Sequence, residues 1–291
     1  MIRACTLTEL PAWTQFLNEA FQYGANEGSY AVDFAPLFEE DSLKNSRLYI
    51  EDGKILSSAT VYPVEMQIRS GEKYKIGIIG AVATAEAARG RGLSTAVLQS
   101  VEDVAKKLKL SALVLWSDQL EFYSKFGFHA FGNQQVHALG AYTVNNPVLG
   151  KRAAGWRLPS VEKLYGLHAQ KNIRDQKYWN ALLKVRSCEK WSWISPEGEV
   201  LAYVGLGRGK DMHNVIHEWA GNALALKALV ADLCSERVDL LWLTSSLLTD
   251  PIRDSLNAPP ILNSHLALLK NLDVESTIQE QELWFWGLDS L

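Results

Sequence analysis

Arg89-Gly90-Arg91-Gly92-Leu93-Ser94 follows the apolar run Ile76-Gly77-Ile78-Ile79-Gly80-Ala81-Val82-Ala83 and precedes Val97, Leu98, Val101 and Val104, which share one helical face. The order is strand, glycine-rich loop, helix. Glycines let a backbone approach an anion closely, successive N–H groups of the turn converge on it, and the helix N-terminus beyond adds a favourable dipole. Arg89 or Arg91 can add a charge-assisted contact. The stretch predicts an anion-binding loop set in an α/β fold. No G-x-x-x-x-G-K-[ST] run occurs, and no G-x-G-x-x-G follows the first strand, which sets aside nucleoside triphosphates and dinucleotides.

Outward from the loop, residues 7–24 read as a helix with Thr8 as N-cap and Leu10, Trp13, Phe16, Leu17 and Phe21 at helical spacing. Asp52-Gly53 between Leu48-Tyr49-Ile50 and Ile55-Leu56 predicts a hairpin. The loop helix spans about Leu93 to Lys107, Leu113–Trp116 is a short buried strand, and the helix from Leu120 to Phe126 stops at Gly127. Together these predict an α/β layout with a mixed sheet.

The second half repeats the order. Tyr178–Val185 reads as a helix, Trp191–Ile194 and Val200–Val204 as a hairpin, Asn214–Trp219 as a strand, Ala223–Leu233 as a helix and Asp239–Leu243 as a strand. One element is missing: no arginine–glycine loop follows Trp219-Ala220-Gly221. Two tandem lobes are expected, 1–150 with the site and 151–291 as a degenerate copy, with Asn145–Arg152 as the junction. An unrelated α+β domain is the alternative.

Hydrophobic residues make up 47% of the 291, enough for a sizeable core, and the net charge of −4 gives no basic surplus for nucleic acid or an anionic membrane. No leader or membrane-spanning run is expected, and Cys5, Cys188 and Cys234 read as reduced thiols, which together imply a soluble, cytoplasmic protein. Trp156, Trp179, Trp191, Trp193, Trp219, Trp242, Trp284 and Trp286 crowd the second half, mostly as packing, with some in a pocket. His213 and His217 are four apart, but Val215 and Ile216 suggest a strand, which separates them; no metal site is expected.

Strand, loop, helix and then Phe122-Tyr123-Ser124-Lys125-Phe126-Gly127-Phe128 resemble the GCN5-related N-acetyltransferase (GNAT) family, whose R/Q-x-x-G-x-G/A and Y-x-x-x-G-F motifs they match over about residues 45–135. The tandem arrangement is similar to the enhanced-intracellular-survival type, without its third domain, since the sequence ends at Leu291. The resemblance implies an N-acetyltransferase that moves an acetyl group from acetyl-CoA to a primary amine of a small molecule or peptide, with no metal. Arg89, Gly90, Arg91, Gly92, Leu93 and Ser94 would hold the pyrophosphate. Val82 and Ala83 would face the pantetheine arm and acyl carbonyl. Tyr123 would be the general acid toward the departing thiolate; a phenol of pKa about 10 suits that task. A homo-oligomer stays open.

Two departures stand out. Ser94 replaces the final Gly or Ala, and Trp116-Ser117-Asp118-Gln119 stands where an asparagine is usual. No general base is identified. Glu65, Asp118, Glu121, Asp289 and the Leu291 carboxylate are candidates by position alone. The alternative reading is an acyl-CoA-binding sensor without turnover.

Overall fold

The structure, a computed structural model, describes residues 1–24, 28–145, 147–256, 258–272 and 278–290. The first half runs β1 (Ile2–Arg3), α1 (Leu10–Ala20), α2 (Tyr30–Asp33), α3 (Glu40–Leu43), β2 (Ser46–Glu51), β3 (Lys54–Gln67), β4 (Lys73–Thr84), α4 (Leu93–Lys107), β5 (Ala112–Leu115), α5 (Leu120–Ser124), β6 (His129–Phe131) and β7 (Gln134–Ala138). The second half runs β8 (Lys151–Ala154), α6 (Leu158–Tyr165), β9 (Lys171–Asn172), α7 (Gln176–Leu183), β10 (Glu189–Ile194), β11 (Val200–Leu206), β12 (Val215–Gly221), α8 (Ala223–Glu236), β13 (Leu241–Thr244), β14 (Leu262–Ser264) and β15 (Ala267–Asn271).

Local chemistry explains the boundaries. The turn before α1 is capped at Thr6 rather than Thr8, because the Glu9 carboxylate reaches back to the Thr6 N–H at 3.0 Å. Asp52 and Gly53 both take positive φ, 49° and 74°, as the two-residue turn between β2 and β3 demands. The helix expected over Leu93–Lys107 spans those residues.

The strands form two mixed sheets. In the first, β2, β3 and β4 are antiparallel neighbours and β5 joins β4 in parallel. In the second, β10, β11, β12 and β13 repeat that pattern. The two sheets then exchange strands, and the short β9 of the second half also pairs with β3 of the first sheet. β15 lies between β5 and β6 in the first sheet, and β7 lies between β13 and β14 in the second. A cut near residue 150 therefore leaves Gln134–Ala138 and Ala267–Asn271 each on the other side of it from the sheet they pair with.

Two cores follow from this layout. A smaller one lies under α4, where Val97, Leu98, Val101 and Val104 pack with Ala59, Ile79, Leu113, Tyr123, Phe128 and Leu268. The larger one runs between the lobes and takes in Trp13, Trp179, Trp219, Trp242, Trp284 and Trp286. The segment Leu283–Asp289 is buried throughout. Trp286 packs against His168 in a tilted arrangement at 4.1 Å and meets Trp219 edge-on at 5.0 Å, while Phe285 meets Trp116 of the first lobe at 5.4 Å. A buried ion cluster anchors this segment. Arg174 donates to Glu218 at 2.8 Å and to Asp289 at 2.9 Å, and all three side chains are inaccessible to solvent. Removing the cation alone would strand two buried carboxylates.

Candidate functional site

The site begins as a defect in the first sheet. Ser58 faces Ala83 and Thr60 faces Gly80, so Ala81 and Val82 of β4 stand opposite Ala59 alone. This is a β-bulge. Ala81 takes φ 52°, a left-handed conformation that costs a residue with a Cβ roughly 1 kcal/mol. Its peptide groups are held by side chains. The Ala81 N–H donates to the Tyr30 hydroxyl at 2.9 Å, and the Ser58 hydroxyl donates to the Ala81 carbonyl at 2.8 Å. Pairing of β4 with β5 ends at Ile78 and Val114, whereas β4 continues to Thr84. The two strands part there and leave a groove.

The loop that follows closes one end of the groove. Gly90 and Gly92 take φ 77° and 74°, and a Cβ placed on either would meet nothing within 4 Å. Gly92 is the N-cap of α4, and the helix's first hydrogen bond runs from the Ala96 N–H to the Gly92 carbonyl at 3.1 Å. The amides ahead of Ala96 have no helical acceptor and suit an anion. Arg91 is engaged elsewhere, with Glu51 of the hairpin at 2.8 Å, so Arg89 is the loop cation that faces the groove.

Tyr123 closes the other end. Its carbonyl accepts the N–H groups of Phe126 at 2.9 Å and Phe128 at 3.3 Å, and Gly127 takes φ 87° to make that turn. Phe128 is thereby folded back edge-on to the Tyr123 ring at 5.9 Å. The spacing of tyrosine, glycine and phenylalanine is thus a device for seating the ring. Burial pushes the Tyr123 hydroxyl up to about 12, rather than the ordinary value near 10, so it stays protonated at neutral pH.

Val82, Ala83, Arg89, Ser94 and Tyr123 come together around one cavity of about 440 Å³. Gly90, Arg91, Gly92 and Leu93 form the adjoining backbone, with Leu93 buried beneath it. Ala20, Phe21, Thr84, Gln119 and Phe122 complete the lining and escaped the sequence reading. Gln119 is the last residue of the Trp116–Gln119 departure and is the side chain that the altered segment turns to the groove. Phe21 belongs to the end of α1, which periodicity places on a helix but not against a sheet.

No carboxylate lines the cavity among the described residues. Glu65 stands opposite Lys75, at the far end of β4 from Val82. Asp118 and Glu121 are exposed to solvent. Asp289 is committed to Arg174, Tyr165 and Asn172. Leu291 lies outside the described residues. His217 is buried in β12, with its Nε2 against the Gly207 carbonyl at 3.0 Å, whereas exposed His213 precedes the strand.

The equivalent place in the second lobe is closed. The Asn222 side chain accepts the Leu224 and Ala225 N–H groups at 2.9 and 3.2 Å, which occupies the start of α8. Trp219, Trp242 and Trp286 pack together where β12 continues past its pairing with β13.

Comparison with known proteins bears on the fold. Residues 1–131 match the model of the acetyltransferase (GNAT) domain. No curated protein sequence matches the chain. Among solved structures, a GCN5-related N-acetyltransferase from Anabaena variabilis superposes with TM-score 0.71 at 16% identity, over 94% of this chain and 73% of that one. Eis1 from Mycobacterium abscessus gives TM-score 0.62 at 15% identity, over 94% and 74%. Saccharomyces cerevisiae N-myristoyltransferase with bound myristoyl-CoA gives 0.57 at 14% identity, over 92% and 77%. Residues 1–131 are thus similar to the GNAT acetyltransferase domain, and the chain as a whole shares the fold of a GCN5-related N-acetyltransferase and of Eis1.

Proposed function

We propose that this protein transfers an acetyl group from acetyl-CoA to a primary amine, with the first-lobe groove holding the co-substrate. The observation that carries the reading is the convergence of Val82, Ala83, Arg89, Ser94 and Tyr123 on one cavity at the open N-terminus of α4. The pyrophosphate would take the N–H groups from Gly90 to Ser94 and the Arg89 side chain. Val82 and Ala83 would flank the pantetheine arm.

In the reaction the amine nitrogen attacks the thioester carbonyl carbon and a tetrahedral adduct forms. The carbon–sulfur bond then breaks, and the thiolate takes the Tyr123 proton. The proton lost by the amine nitrogen leaves through solvent in the groove and restores the phenol. Its raised pKa makes Tyr123 a weaker acid than a free phenol, so its proton is given only as charge accumulates on sulfur. No step calls on a metal.

No helix among the described residues is long and apolar enough to cross a membrane. A cytoplasmic setting is part of the proposal and is supported by three separately buried free thiols. The absence of a lining carboxylate among the described residues favours a second reading, a sensor that binds acyl-CoA without turnover. Incubation with acetyl-CoA and a panel of amines, read as free thiol release, separates the two. Turnover on any amine establishes the enzyme, and tight binding with no thiol release across the panel establishes the sensor.

A further inference from the structure

We infer that Tyr30 is a positioning residue for this acyl transfer: its hydroxyl fixes the Ala81 bulge and so sets how Val82 and Ala83 face the acyl group. The inference rests on the cofactor reading above. It stands on three observations.

The first is the clamp. Ala81 has its N–H bound by Tyr30 and its carbonyl bound by Ser58, so both polar atoms of the bulged residue are held by side-chain hydroxyls. A strand in register satisfies these groups through its ladder and needs neither hydroxyl.

The second is that the clamp is itself rigid. Tyr30 comes from α2, outside the sheet, and is 5% exposed. Its ring stacks on Phe21 at 4.6 Å and packs on Phe34 at 4.4 Å, with the ring edges of Tyr23 and Phe38 near 6 Å. Burial pushes its hydroxyl up to about 12, which keeps it neutral through the working range.

The third is location. The residue in the left-handed conformation lies directly before the two groove-lining residues Val82 and Ala83. Strain held at a groove edge by outside support is how a backbone is kept in one functional direction. Phe21, which stacks on Tyr30, lines the same groove.

The test titrates acetyl-CoA and free coenzyme A into the wild-type protein and into Tyr30→Phe, which keeps the ring and loses the acceptor. Steady-state kinetics on an accepted amine follow. The expected result is a loss of about fivefold in affinity for acetyl-CoA, with affinity for coenzyme A preserved, because only the former has an acyl carbonyl to place. kcat should fall about ten- to a hundredfold with the amine KM unchanged. Adding Ala81→Gly to Tyr30→Phe should recover much of kcat, since glycine holds positive φ without support. Equal affinities and an unchanged kcat in the variant overturn the inference. So does a parallel loss of both affinities and of melting temperature that glycine does not rescue. A wild-type protein that binds neither ligand overturns the cofactor reading, and this inference with it, before any variant is made.

Discussion

Leu268 of β15 stands directly opposite Leu115 of β5, so a residue from the far end of the chain is a cross-strand neighbour inside the first lobe. Leu268 is fully buried in the cluster that also contains Tyr123 and Phe128. Leu268→Ala should cost about 2–5 kcal/mol of stability, as buried leucine truncations do. It should also weaken acetyl-CoA binding, although it lies outside the matched domain. Denaturant unfolding and calorimetric titration check the two effects. A fragment ending near residue 150 should neither unfold cooperatively nor bind the co-substrate. Tight binding by that fragment would show that β15 is dispensable to the site.

Gly92→Val tests the loop. The residue takes φ 74°, so any side chain is strained by roughly 1–2 kcal/mol, while the space above it is open. A valine should therefore leave the protein folded with a lowered melting temperature. It should abolish acetyl-CoA binding, because the branched side chain projects into the space where a phosphate would sit. Unchanged affinity by calorimetry would remove the loop from the site.

Tyr123→Phe should lower kcat about 10²–10⁴-fold while affinity for acetyl-CoA changes little, as expected of a proton delivered only in the transition state. The ring contacts with Phe122 at 5.0 Å and Phe128 at 5.9 Å survive the change. The wild-type rate should also show no loss from phenol ionisation between about pH 8 and pH 10, because burial holds Tyr123 near 12. A preserved kcat where chemistry limits the rate would assign the proton to another donor.

His168 and His217 are both held neutral, pushed down to about 4 by burial. Between pH 4 and the unfolded value near 6.5 the unfolded chain binds more protons than the folded one, so stability rises with pH across that window. Their contribution is complete above about pH 6.5 and is lost as pH falls through about 4. Melting temperature measured in steps from pH 7 to pH 4 should fall, and His168→Gln should flatten the fall. An unchanged slope would mean that other groups govern acid unfolding.

Gly287→Ala probes the same packing. A Cβ there would lie 2.3 Å from the His217 Nδ1, within a ring that has no room to move. The cost should be roughly 1–3 kcal/mol or more, read as a shift in the denaturant midpoint. A neutral result would show that the buried tail is looser than its contacts imply.

The legible parts of this chain were those whose signal is local. Alternation and turn chemistry give the β2–β3 hairpin at Asp52-Gly53, and helical spacing with a glycine before it gives α4. The loop and Tyr123 are legible for the same reason, since each motif is itself a backbone device. The exchange of β7 and β15 is not legible, because short strands such as Gln134–Ala138 carry no mark of which sheet will accept their hydrogen bonds. Tyr30 escaped because its role depends on Ala81, a partner distant in sequence. The tryptophans of the second half read as packing, and they also fill the opening that the first lobe keeps for its site.

The exchanged strands also fix an order of assembly. During synthesis β1 to β5 emerge early and can pair, but β5 keeps one edge unpaired until β15 has been made. Until then that edge is an open template for other chains. The nascent first lobe must therefore wait for most of the polypeptide, a nonlocal closure that slows folding and lengthens exposure to aggregation. A chaperone that covers the β5 edge would act on this protein from the emergence of β5 until β15 has been made.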